Sequence, residues 1–412
     1  MSSATAIVPT GTVRNPQLRP LLRLIDVLGG LILGGSRRRP ITIDGLRRTS
    51  AREVGYDDFG LTPDYERACE ALEQDMAEHT CSFVGRLATV DTLVSHHRTR
   101  LKLRRAIAAS PEGMQLKKPP YVITGLFRTG TTLLHNLLSA LPGRTTLPCY
   151  ELMCPVPEPG REVDAQKKVK SATYMSPETE AIHPMRWDAP EECWLLMSPA
   201  MRVQGWTVVL DVPRYTKFID ACDMTEAYRD YRQILEYLST FREQGLVMKD
   251  PGHSPNIGVL HRVIPEARIV FLHRDPAKSV SSYSSLSAVH HRTYYGSYEP
   301  NAIGEKVLDR FAHYLSSAME QRPSIPDESI LDVDYHDLVA DPVAIVRRIV
   351  EHFGDEWSDE ADKAVRAKLE DLPRHKHGKH HYSAAQWGLT AKGIRERFSE
   401  YLREHELTEE PC

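Results

Sequence analysis

Apolar residues in this chain first recur at helical spacing, and later in short runs that each lead into a helical stripe. From residue 62 onward Tyr65, Cys69, Leu72 and Met76 fall three or four apart, one face of a helix that Thr62 can cap and Pro63 can open. A second helix is predicted over residues 82–109, so residues 1–115 read as a helical N-terminal segment, without internal repeat or catalytic constellation. At Tyr121-Val122-Ile123 the pattern changes to a short apolar run behind Pro119-Pro120, which reads as a buried strand. A leucine stripe follows at once, Leu133, Leu134, Leu137, Leu138 and Leu141, ending before Pro142-Gly143. A helix pair is expected within residues 213–242, and the strand-then-helix pattern then repeats. Residues 245–248 lead to Lys249-Asp250-Pro251 and a helix near 255–263; residues 268–272 lead to His273-Arg274-Asp275-Pro276 and a helix to about 286. A strand over 330–333 and a helix over 342–353 complete the series. Such alternation predicts an α/β fold over residues 116–412, a parallel sheet flanked by helices.

Other stretches are less regular. Residues 21–35 are apolar but interrupted by Arg23 and Asp26, and fall short of the roughly 20 apolar residues a membrane span needs. They suit an amphipathic helix, packed on the domain or lying in peripheral contact with a membrane surface. Residues 1–16 read as a disordered leader, and Arg37-Arg38-Arg39-Pro40 with Arg47-Arg48 as a solvated connector. Residues 183–210 are rich in Trp, Met and Leu, a composition of a deformable apolar pocket or of ordinary core.

At 412 residues, 41% hydrophobic and 26% charged, the chain has the composition of a globular protein. A formal net charge of −4 argues against a nucleic-acid partner, so cations that bind anions must be local. Seven cysteines, odd in number and with no C-x-x-C pair, suggest reduced thiols and a cytoplasmic location. Composition sets no oligomeric state.

The candidate chemistry centres on Gly125 and Gly130, which bracket four residues between the predicted strand at 121 and the leucine-striped helix. That spacing suits a loop whose backbone N–H groups curl around a phosphate at a helix N-terminus, and makes the sheet P-loop-like; a purely structural strand-to-helix turn is the plainer alternative. Thr131 stands where a nucleotide triphosphatase loop has its lysine, and the cation lies inside the loop as Arg128. Thr131 and Thr132 place two hydroxyls on the first helical turn. Ligands of parallel sheets bind outside the carboxyl ends of the strands, where Arg128, Lys249 and Arg274 are expected to gather around a ligand with more than one anionic group. The basic tail at 374–382 holds four histidines, but its interleaved lysines and lack of a carboxylate argue against a metal site.

With these residues in view, residues 119–403 resemble the sulfotransferases that use 3′-phosphoadenosine-5′-phosphosulfate (PAPS), and more closely a bacterial branch similar to tyrosylprotein sulfotransferases. GLFRTGTTLL resembles the family's 5′-phosphosulfate loop, with Arg128 where the cytosolic enzymes carry lysine. HRDPAKSVSSY resembles the 3′-phosphate motif, an arginine followed eight positions on by a serine, here Arg274 and Ser282. Lys249-Asp250-Pro251 and the segment from Lys379 to Ser383, followed by Trp387-Gly388-Leu389, are also similar. The resemblance implies PAPS as co-substrate, adenosine 3′,5′-bisphosphate as product, and no metal. It implies nucleotide contacts from Phe127, Arg128, Thr129, Gly130, Thr131, Thr132, Arg274, Ser282, Lys379, His380 and Tyr382, with Arg128 and Lys249 as electrophiles. Glu151 stands where the tyrosylprotein branch carries its base; Glu191, Glu192 and His183 are its rivals. The acceptor is expected to be a small-molecule or lipid-like hydroxyl. Two other readings are an ATP-dependent kinase on the same loop and a non-catalytic nucleotide-binding protein.

Overall fold

The computed structural model describes residues 13–14, 20–32, 41–79, 81–110, 112–372 and 383–410. It opens with α1 (Pro20–Ile32), α2 (Ile43–Val54), α3 (Pro63–Glu78) and α4 (Phe83–Ala108). The caps are local and sequence-encoded: Thr62 Oγ1 accepts from Tyr65 N at 3.3 Å, and Ser82 Oγ accepts from Gly85 N at 3.0 Å. The first sheet strand, β1 (Tyr121–Gly125), feeds α5 (Thr131–Ser139). Then come β2 (Arg144–Thr145), α6 (Cys149–Met153), α7 (Arg161–Met175), α8 (Pro213–Ala221) and α9 (Thr225–Ser239). Then follow β3 (Gly245–Lys249), α10 (Ile257–Val263), β4 (Arg268–His273), α11 (Pro276–Tyr295), α12 (Pro300–Gln321), β5 (Ile330–Asp334), α13 (Tyr335–Ala340), α14 (Pro342–His352), α15 (Asp359–Asp371), α16 (Ala391–Arg397) and α17 (Ser399–Glu404).

The five strands form one parallel sheet in the order β2-β3-β1-β4-β5, with Ile123 opposite both Lys249 and Val270. Because successive strand residues face opposite sides, β1 and β4 each supply two cores. Tyr121, Ile123, Val270 and Leu272 pack with α5 and α14, while Val122, Ile269 and Phe271 face the larger helical layer. That larger core also takes Ile43, Leu72 and Leu93, so α2, α3 and α4 share it with Tyr228 and Phe311.

Several expectations change. Val13–Arg14, within the expected leader, pairs antiparallel with Ser297–Tyr298. Arg47 and Arg48 lie in α2, and Arg47 Nη2 pairs with Glu66 Oε2 at 2.7 Å, because the helix brings a basic face against the acidic first turn of α3. Helix α11 runs to Tyr295, nine residues past the expected end at 286, closed by Gly296 in the left-handed region. Leu196, Met197, Met201 and Trp206 are buried in the main core, the packing alternative for residues 183–210. A cavity of about 240 Å³ opens elsewhere, between α4 and α9 at Arg100 and Asp230, and contains none of the expected site residues. Among the described residues no helix is long and apolar enough to cross a membrane, and the six described cysteines are all free thiols.

Candidate active site

The loop after β1 is shaped by backbone positions that few residues tolerate. Gly125 has φ +132°, and a Cβ there would lie 2.3 Å from the Leu272 carbonyl oxygen of β4. Arg128 itself has φ +70°, in the left-handed region, and Gly130 at φ +89° hands the chain to α5. A non-glycine residue held there carries strain of order 1–3 kcal/mol, which the surrounding contacts must offset. Thr129 Oγ1 donates to Leu126 O at 2.7 Å and braces the loop from within. The first N–H groups of α5, at Thr131 and Thr132, have no intrahelical acceptor and open at its positive end. Phe127 stacks on Tyr283 of α11 at 4.2 Å between ring centroids.

Arg274 follows β4 directly. Its Nη1 donates to the Arg128 carbonyl at 2.6 Å, joining the two predicted nucleotide motifs through one hydrogen bond. The same guanidinium lies 3.8 Å over the Tyr335 ring and grips Glu410, Nε to Oε1 at 2.6 Å and Nη2 to Oε2 at 2.8 Å. Its neighbour Asp275 caps α11 instead, accepting from Ala277 N at 2.9 Å and from Arg395. Two turns into α11, Ser282 is buried and its Oγ has no hydrogen-bond partner among the described residues.

Lys249 ends β3 opposite Ile123, with its side chain only 3% exposed. Its Nζ donates to Glu192 Oε1 at 2.8 Å, and its carbonyl accepts from Cys193 N at 2.9 Å, which fixes residues 192–193 against the strand end. Glu191 Oε1 pairs with His183 Nε2 at 3.3 Å, and Arg128 Nη1 reaches the carbonyl of the preceding Ile182 at 3.4 Å. Arg128, His183, Glu191, Glu192 and Lys249 thus form one connected run of contacts. Burial opposes charge on Lys249, but Glu192 and Glu191 outweigh it and hold the ammonium above its ordinary value. Burial likewise opposes charge on His183, and Glu191 outweighs it, so the imidazole is raised while Glu191 is held below the usual carboxylate range. Asp250, deeply buried and facing Glu192, is pushed well above that range.

Glu151 stands apart from this run. Its Oε1 lies 3.3 Å from Arg161 Nη2 and its Oε2 lies 2.8 Å from Arg242 Nη2, so both carboxylate oxygens are committed to ion pairs that tie α6 to α7 and to the loop between α9 and β3. Lys379, His380 and Tyr382 lie outside the described residues. Below Lys249, Cys193, Asp250 and His253 bring ligand-type atoms within 4.8 Å of one another, a grouping the sequence reading missed. There His253 Nδ1 meets Tyr228 OH at 2.8 Å and Nε2 meets Cys193 Sγ at 3.3 Å, and burial pushes the imidazole down to about 3.

Residues 119–359 match the model of the sulfotransferase family. The chain belongs to that family. Sulfotransferases from Mycobacterium bovis and Mycobacterium tuberculosis, named omega-hydroxy-beta-dihydromenaquinone-9 sulfotransferase Stf3, are 26% identical over 248 residues, 57% of this chain and 63% of theirs. The chain therefore matches less than two thirds of those relatives' length. Sulfotransferase STF1 of Mycobacterium tuberculosis superposes with a TM-score of 0.76 at 28% identity, covering 88% of this chain and 100% of that one. Sulfotransferase STF9 of Mycobacterium avium gives 0.78 at 20% identity, over 90% and 98%, a likeness of fold. The matched segment contains the loop at 125–130, Glu192, Lys249, Arg274 and Ser282, so the connected run lies inside the family's own boundaries.

Proposed function

We propose that this sulfotransferase moves a sulfuryl group from PAPS to the hydroxyl of a lipid-like alcohol. The observation that carries the reading is the hydrogen bond from Arg274 to the Arg128 carbonyl, which couples two anion-binding ends, one at the α5 N-terminus and one at Arg274. A ligand with a 5′-phosphosulfate and a 3′-phosphate needs both. Two features of the second end fit a phosphate. The Ser282 hydroxyl is buried without a partner among the described residues, and the Glu410 carboxylate already occupies Arg274 as an anion of similar geometry.

When bound, PAPS supplies a sulfuryl group on a phosphate leaving group. In our reading the N–H groups of Thr131 and Thr132 and the Arg128 guanidinium stabilise the negative charge that grows on the 5′-phosphate as its bond to sulfur breaks. Lys249 keeps donors beyond the one given to Glu192 and turns them to the sulfuryl oxygens. Glu192, rather than Glu151, then takes the proton of the acceptor hydroxyl as its oxygen bonds to sulfur. Glu192 gives Oε1 to Lys249, whereas both carboxylate oxygens of Glu151 are held by arginines. For the acceptor, the support is that the curated relatives are named for a menaquinone derivative carrying a hydroxyl.

Incubation with radiolabelled PAPS and a panel of isoprenoid alcohols, fatty alcohols, phenols and tyrosine peptides tests this. Label is expected in a solvent-extractable alcohol. No transfer to any acceptor, together with phosphate transfer from magnesium ATP, would replace the reading with the kinase.

A further inference from the structure

Helix α1 is amphipathic in the reverse of the usual sense. Leu22, Asp26 and Gly29, at spacings of four and three, face the start of α4: Asp26 Oδ1 accepts from Val84 N at 3.0 Å, and the Phe83 ring leaves no room for a Cβ on Gly29. The acid is turned inward, where it satisfies an N–H of the first turn of α4. Leu21, Leu24, Ile25, Val27 and Leu28 are turned outward, 56%, 53%, 37%, 58% and 42% exposed. Five large aliphatic side chains clustered on one short helix are far from the scattered exposure of an ordinary surface.

We propose that this face lies on an anionic lipid surface. Charge selects that occupant over an apolar protein groove. Residues 14–48 carry eight arginines, of which Arg47 is paired with Glu66, and only two acids, Asp26 and Asp44, while the whole chain has a net charge of −4. Arg23 and Arg48 are exposed on α1 and α2. Arginines flanking an apolar helical face are the pattern of a segment that seats its leucines at the acyl boundary and its guanidinium groups among phosphates. At 13 residues α1 is too short to span, so it lies in the interface. It is also fixed to the body at two points, through Asp26 on α4 and through the pairing of Val13–Arg14 with Ser297–Tyr298. The inference stands whether or not the acceptor is a lipid.

Flotation of the full chain with vesicles of phosphatidylcholine alone, or mixed with phosphatidylglycerol, tests it. The parent should float with the anionic vesicles, and less at high salt. The double variant Leu24→Glu, Leu28→Glu changes only outward positions, and should lose at least about tenfold in partitioning with an unchanged melting temperature. A parent that stays in solution with both vesicle types, or a variant that floats as well as the parent, would overturn the proposal. So would a parent dimer in sedimentation that this variant splits, because the face would then belong to a second copy.

Discussion

Arg274 and Glu410, 136 residues apart, form a two-point ion pair at the carboxyl end of β4, with Glu410 side-chain exposure only 10%. A carboxylate held this way occupies the donors that a nucleotide 3′-phosphate would need. We therefore expect Glu410→Ala to tighten adenosine 3′,5′-bisphosphate about three- to tenfold, the value of one partly buried ion pair of about 1 kcal/mol. Titration calorimetry checks it. Weaker binding by the variant would mean that Glu410 organises the site instead of competing for it.

The two candidate bases separate by substitution to glutamine, which keeps shape and removes proton acceptance. Glu192→Gln should lower kcat by about 10² or more with nucleotide affinity nearly unchanged. Glu151→Gln should leave kcat within a few-fold and cost roughly 2 kcal/mol of stability, through its pairs with Arg161 and Arg242. Rates and melting curves of both variants decide. The reverse pattern would return the base to Glu151.

Arg128 is expected to act mostly as charge develops. Arg128→Ala should lower kcat by roughly 10² to 10³ and nucleotide affinity much less, and Arg128→Lys should recover part of the rate. Single-turnover kinetics with separate binding measurements test this. Equal losses in both would make Arg128 a ground-state anchor.

How much of this was legible depends on how local each cause is. The Thr62 and Ser82 caps and the leucine stripe of α5 are set by neighbours within four residues, and the sequence reveals them. The parallel sheet was legible from the strand-then-helix repeats, but β2, only two residues long, has no periodicity to read. The contacts that separate the two candidate bases were not legible. Glu151 pairs with Arg242, 91 residues away, and Glu192 with Lys249, 57 away, so only the packed chain distinguishes their surroundings. For α1 the pattern showed amphipathicity, but which face turns inward depends on Val84 and Phe83 of another helix.

The His183–Glu191 pair gives a pH signature. His183 is raised above 6.5, so its contribution is complete below that pH and is lost as pH rises through the raised value. Glu191 is lowered below 4.5, so its contribution is complete above that pH and is lost as pH falls through the lowered value. The melting temperature of the parent should exceed that of Glu191→Gln most between these two pH values, by the equivalent of about 3 kcal/mol, and less above them. A difference that stays constant as pH is raised well past 6.5 would contradict the pairing.

The central claim is a site that binds a nucleotide at its two anionic ends, and calorimetry of two nucleotides against two proteins tests it most directly. Adenosine 3′,5′-bisphosphate should bind Arg274→Ala about ten- to a hundredfold more weakly than it binds the parent, since charge-assisted hydrogen bonds contribute roughly 1.5 to 3 kcal/mol each. Adenosine 5′-phosphate, which lacks the 3′-phosphate, should bind both proteins alike. Parallel weakening of the two nucleotides would show that Arg274 merely braces the loop through the Arg128 carbonyl, and would contradict the assignment of PAPS.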